Sequence, residues 1–172
     1  AVEGWWQSDK ARHRLSSAAL LDVVGVGAFN RDHGTRCGDR LLATIGALID
    51  DLLRKERGFD VVGRIDGQRF LFFLGDTGPR NATSAAERFR QSIAQSTFEY
   101  EGADLSAAVT CAVTEVLSSD DVPTFVARLE DTLSAAKKAG RNTTMLDEGT
   151  GPQPIDPPDY QSNGQILSLQ DD

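Results

Sequence analysis

The segment Arg64-Ile65-Asp66-Gly67-Gln68-Arg69-Phe70 sets a carboxylate, an amide and a guanidinium side by side between two apolar runs. Val61 and Val62 precede it, and Phe70, Leu71, Phe72, Phe73 and Leu74 follow, so it reads as the turn of a β-hairpin with largely buried strands, Gly67 permitting the tight turn. One acid beside one base is a poor holder for a divalent cation, which takes its ligands from several oxygens. A second acid, Asp22, stands midway along an apolar run, where a carboxylate is costly without a partner; a backbone amide, a water or Arg69 would serve. Arg57-Gly58-Phe59-Asp60 offers a guanidinium fork and an acceptor three residues apart. That pattern suits a phosphate or a guanine edge, and equally a solvated ion pair in a surface turn. Lys137 stands late in an apolar-periodic segment closed by Gly140, where a cation favours the helix dipole and glycine favours a cap.

These residues need a scaffold. Leu20, Leu21, Val23, Val24 and Val26 make a β-branched-rich central strand ending near Gly25 or Gly27. A helix is predicted from Gly38-Asp39 with Asp39 as N-cap, since Leu41, Leu42, Ile45, Leu48, Ile49, Leu52 and Leu53 recur at helical spacing up to Gly58; Asn30 reads as a turn residue before it. Strands follow at Phe59 to Ile65 and Phe70 to Leu74, then a helix after Gly78-Pro79 containing Ala85, Ala86, Phe89 and Ile93. A strand over Leu105 to Leu117, a helix over Val122 to Ala139 and a short strand at Thr143 to Leu146 complete the order. That order gives an α/β (α+β) ferredoxin-like core, a mostly antiparallel sheet with flanking helices. The division expected is a lead-in helix or linker over residues 1–14, one domain over 15–147, and a flexible Pro-, Gly- and acid-rich tail over 148–172 with a local contact at Ile166 to Leu169.

Composition narrows the function. A chain of 172 residues has room for one domain plus a tail. Its formal net charge of -8 disfavours a nucleic-acid surface while leaving room for a basic phosphate pocket. Cys37 and Cys111 fit no zinc spacing and read as free thiols of a reducing, cytoplasmic compartment. The most apolar stretch, Leu15 to Phe29, is interrupted by Asp22 and glycines, so neither a signal peptide nor a membrane span is expected. Because the chain begins at Ala1, the expectation is a segment of a longer signalling protein with a sensor upstream.

Four segments between Asp22 and Asn142 together resemble the GGDEF family, the diguanylate cyclases. Where that family carries Gly-Gly-Asp/Glu-Glu-Phe, this chain has Asp66-Gly67-Gln68-Arg69-Phe70, which keeps the second glycine and the aromatic residue and replaces both acids. Asp22, Asn30, Gly34, Gly38 and Asp39 match the family's first strand and helix; Val24, Gly27, Arg31 and Thr35 depart. Ala136-Lys137-Lys138-Ala139-Gly140-Arg141-Asn142 matches its Ala-Lys-x-x-Gly-Arg-Asn segment.

The resemblance implies a nucleotidyl-cyclase-like GGDEF fold with Asp22 and Gln68 at the Mg²⁺ positions. It further implies Asn30 and Asp39 as guanine readers and Lys137 and Arg141 as phosphate contacts. Arg57 and Asp60 fall at the family's inhibitory site for cyclic di-GMP, completed by Arg88, or by Arg90 if a loop differs in length. With Gln68 and Arg69 replacing two acids, those two positions are three charge units more positive than the family's. At ~6 Å and an effective dielectric of ~20, each unit opposes a cation by roughly 3 kcal/mol before screening. The reading is therefore a catalytically degenerate domain with no cofactor, Mg²⁺ entering only if the chain is active. It would sense cyclic di-GMP or GTP, with a homodimer implied. The alternatives are an active diguanylate cyclase joining two GTP molecules across a homodimer, and a nucleotide-free dimerisation scaffold.

Overall fold

The computed structural model describes residues 15–52, 61–160 and 164–169. Strand β1 (Ser17–Val24) is followed by helices α1 (Val26–His33) and α2 (Thr35–Leu52), then the hairpin β2 (Val61–Asp66) and β3 (Arg69–Leu74). Helix α3 (Pro79–Gln95) leads to the short strands β4 (Thr97–Tyr100) and β5 (Ala103–Ser106), and then to β6 (Ala108–Glu115). Helix α4 (Val122–Lys138), β7 (Thr144–Asp147), β8 (Gln153–Pro154) and β9 (Ile166–Ser168) complete the chain. The main sheet runs β2-β3-β1-β6-β7-β8, antiparallel throughout except for the β6–β7 pair. This is the mostly antiparallel α/β architecture expected from the sequence.

Alternation along β1 separates the two faces. Ala19, Leu21 and Val23 point into the core shared with Leu41 and Ile45 of α2 and Ala86, Phe89 and Ile93 of α3. Ala18 and Leu20 pack under Phe125, Leu129 and Leu133 of α4. The same period puts Asp22 on the α4 face. Helix α4 starts as its sequence dictates: Asp121 caps it by accepting from the Thr124 amide at 2.9 Å, with proline in the first turn. It ends in a Schellman turn, where Gly140 N–H donates to Lys137 O and Arg141 N–H to Ala136 O.

Several expectations are corrected. The helix placed from Gly38-Asp39 begins at Thr35, so Asp39 lies inside α2 and is not its N-cap. The stretch holding Asn30 is itself a helix, α1, closed by Gly34 at φ 85°. Its few apolar residues, Val26, Ala28 and Phe29, give too short a pattern to reveal it. The strand expected over Leu105 to Leu117 is divided into β5 and β6, and β4 pairs back on β5 through Glu101 and Gly102, both at positive φ. Gly67 takes no left-handed conformation; the hairpin accommodates its turn with a register shift between Arg64 and Asp66 instead.

The tail is tied down along much of its length. β8 pairs with β7, β9 adds in parallel to β4, and Leu169 is buried. Its prolines suit an edge position because they leave fewer donors to satisfy. The lead-in at Trp5 to Arg14 and the segment with Arg57 and Asp60 lie outside the described residues.

Candidate functional site

The sheet register assembles the site. Arg69 of β3 is the partner of Asp22 of β1, and Asp22 is the partner of Thr110 of β6, forming one row across three strands. Thr110 extends that row, because its Oγ1 accepts the Asn142 amide at 3.1 Å and so anchors the turn that follows α4. The α4 side chains Glu130 and Lys137, seven residues apart, both reach this row. Residues from the hairpin, β1 and the end of α4, far apart in sequence, are thus brought together.

Asp22 is buried, and both its oxygens are occupied. Gln68 Nε2 donates to Oδ1 at 3.1 Å, and Lys137 Nζ lies 3.0 Å from Oδ2. The hairpin turn is stitched to β1 again by the Val23 amide donating to Gln68 O at 3.0 Å. Arg69 does not serve as the partner of Asp22. Its Nη1 donates to Glu130 Oε1 and Oε2 at 2.7 and 2.6 Å, while Nε and Nη2 bind Asp66 Oδ2, Nε at 2.8 Å. Hydrogen bonding by Arg69 holds the Asp66 carboxyl below the usual carboxylate range, and Asp66 in turn raises the Arg69 guanidinium. Sequence reasoning missed Glu130, whose only signal is its place two turns before Lys137 on α4.

These residues do not fit Mg²⁺. A divalent ion at Asp22 would have to displace an ammonium group and would meet an amide, not a carboxylate, at position 68. No cluster of three or more histidine, cysteine or acidic side chains among the described residues has the arrangement to hold a metal.

The expected guanine readers are arranged differently. Asn30 Oδ1 is buried without a hydrogen-bond partner. It lies directly over Gly38: a Cβ built there would sit 2.0 Å from it, so the glycine makes room for the amide. Asp39, the next residue, is exposed on α2. A cavity of about 540 Å³ beside α1 is lined by Ala28, Phe29, Asp32, His33 and Asn142, among others, and by none of the four predicted guanine and phosphate residues. Arg141 is exposed and backbone-strained at φ 60°, and Asn142 follows at 42°.

On α3, Arg88 is exposed. Arg90 is engaged elsewhere: its Nε and Nη2 clamp the Glu87 carboxylate at 2.8 and 2.9 Å, and Nη1 reaches Asn142 Oδ1 and O at 2.8 and 3.1 Å. Of the two arginines considered for a cyclic di-GMP site, Arg88 alone is left to the solvent.

The sequence profile described as "Diguanylate cyclase, GGDEF domain" matches residues 2–143. Diguanylate cyclase A of Treponema denticola is 24% identical over 138 residues, covering 80% of this chain and 36% of that protein. Probable diguanylate cyclase DgcT of Escherichia coli is 25% identical over 143 residues, covering 81% and 31%. The chain thus spans about a third of the length of these curated relatives. Among solved structures, the diguanylate cyclase SiaD of Pseudomonas aeruginosa, in complex with its activator SiaC, superposes with a TM-score of 0.77 at 27% identity, covering 84% of this chain and 56% of that one. The GGDEF domain of DgcB from Caulobacter crescentus, in complex with c-di-GMP, gives 0.77 at 16% identity, covering 83% and 84%.

Proposed function

As the chain belongs to the GGDEF family of diguanylate cyclase domains, we propose that it acts in cyclic di-GMP signalling as a catalytically silent module that binds a guanine nucleotide without converting it. The observation that carries this reading is the closure of Asp22 by Gln68 and Lys137, with Arg69 held between Asp66 and Glu130. Metal-assisted phosphoryl transfer needs carboxylates that converge on divalent ions, which neutralise the charge developing on attacking and leaving oxygens. Here the carboxylates converge on side-chain cations, so the reacting oxygens of GTP would find no metal to share.

Binding is another matter. Asn30 holds a buried amide oxygen that a nucleobase N–H would satisfy, and Asp39 adds an acceptor of the kind guanine N1–H and N2–H require. Arg141 supplies a cation for the phosphates, and Lys137 adds its charge nearby while still paired with Asp22. A second reading places cyclic di-GMP at Arg57, Asp60 and Arg88, and the exposure of Arg88 favours it.

Calorimetry on nucleotide-free protein tests both. GTP is expected to bind in EDTA as well as in Mg²⁺, with affinity lost in Arg141→Ala; cyclic di-GMP is expected to bind with affinity lost in Arg57→Ala. Silence toward both ligands at high micromolar concentration would leave a nucleotide-free interaction scaffold.

A further inference from the structure

Residues beyond 143 lie outside the span matched by the family, yet they are wired into it. The Tyr160 amide donates to Gln91 Oε1 at 2.8 Å, and Gln91 Nε2 donates to Pro158 O at 2.9 Å. The same Nε2 donates to Glu87 Oε2 at 3.0 Å. Glu87, at 1% exposure, is clamped by Arg90, which in turn holds the carbonyl and side-chain oxygens of Asn142. Farther along, Gly164 lies so close to Gln95 O that a Cβ would approach it to 2.3 Å, and Leu169 closes the strap by inserting into the core while its amide donates to Glu99 O.

The far end of this chain of bonds is a strained turn. Gly140, Arg141 and Asn142 stand in succession at φ 126°, 60° and 42°. For arginine this region is costly and its surroundings must hold it there, while asparagine tolerates it more readily. Thr110 and Arg90 do that: Thr110 takes the Asn142 amide on the α4 face of the sheet, and Arg90 takes its two oxygens from the α3 side.

We propose that the C-terminal strap, described over residues 152–160 and 164–169, is a built-in positioning element for Arg141: by seating on Gln91 it fixes Glu87 and Arg90, and through them the left-handed turn that presents Arg141 to the nucleotide phosphates. Gln91, Glu87 and Arg90 are positioning residues that do not touch the ligand. The role assigned to Arg141 rests on the nucleotide-binding reading, whereas the strap-to-turn coupling has its own readout. Burial gives the relay its leverage, because the Glu87 carboxylate is shielded from water and has no solvent to replace a lost donor.

The test uses the full chain and two measurements, hydrogen exchange of residues 139–145 and the dissociation constant for GTP, in wild type, Gln91→Ala, Gly164→Ala and Arg90→Lys. Gln91→Ala removes the strap's foothold, Gly164→Ala pushes the strap off Gln95, and Arg90→Lys keeps a charge against Glu87 without the fork to Asn142. Each is expected to speed exchange in residues 139–145 and to weaken GTP binding by roughly fivefold or more, with β1 and β6 protected as in wild type. Faster exchange in the strap of Gly164→Ala with residues 139–145 unchanged would overturn the proposal, and so would unchanged exchange there in both Gln91→Ala and Arg90→Lys. Wild type that binds no GTP but shows the coupled exchange would uphold the coupling and sink the nucleotide reading alone.

Discussion

Around Asp22 the ionised side chains are closed on one another, whereas at Asn30, on the helix that follows, a buried oxygen is left without a partner. By the family resemblance, the first region answers to a metal and phosphate site and the second to a base reader. A buried carboxylate left alone is costly, and Asp22 is partnered within the protein by the Lys137 ammonium and the Gln68 amide. An orphaned amide oxygen costs less, of order 1–3 kcal/mol, a cost that a bound base would relieve. On the proposed reading, chemistry is closed off by internal satisfaction, while recognition is left with something still to satisfy.

Substitutions can challenge that contrast directly. Lys137→Ala leaves buried Asp22 with the Gln68 amide alone and should cost about 1–3 kcal/mol in urea unfolding. A cost near zero would mean that the ion pair does not close the site. Arg69→Glu puts a third acid between Asp66 and Glu130 and should destabilise by about 1–2 kcal/mol at low salt, with recovery on adding Ca²⁺ or Mg²⁺. Recovery follows because a cation that binds only the folded state raises the melting temperature, whereas wild type should not respond.

Asn30→Leu should leave stability within about 1 kcal/mol of wild type, or raise it, while abolishing discrimination of GTP from ATP in calorimetry. A large loss of stability would show the amide to be structural. The pH dependence gives a smaller effect. Asp66, held low by Arg69, contributes stability that is present above the unfolded carboxylate value and lost as pH falls through its lower folded value. The melting temperature of Asp66→Asn should therefore fall less steeply below pH 4 than that of wild type, by a small margin because Asp66 is largely exposed. Smallest of all, Gly67→Ala should change stability by less than about 0.5 kcal/mol, since a Cβ there meets nothing within 4 Å and the backbone is not left-handed.

Local pattern carried much of this structure. The apolar run around Leu20, the helix from Val122 and the hairpin through Arg64 and Phe70 announce themselves by period and turn chemistry, and each stands where expected within a few residues. Asp22 was recognisable as an acid in need of a partner. Which partner it takes was not, because that depends on how α4 lies across the sheet, and Lys137 arrives from more than a hundred residues away. Asp39 as an N-cap was a sound local reading overturned by α1, whose end at Gly34 lets α2 begin four residues sooner. Glu87 and Gln91 are polar residues whose burial has no signal in the helix itself; they are buried where the tail, a proline-rich stretch with no periodic pattern, bonds to Gln91.

The most direct measurement is product formation: purified full chain incubated with GTP and Mg²⁺, and separately with Mn²⁺, with chromatography of the nucleotides. Closure of Asp22 predicts intact GTP and no cyclic di-GMP in either metal. Cyclic di-GMP that accumulates with time and disappears in Asp22→Ala would contradict it, and would mean that Lys137 yields Asp22 to a metal once substrate arrives.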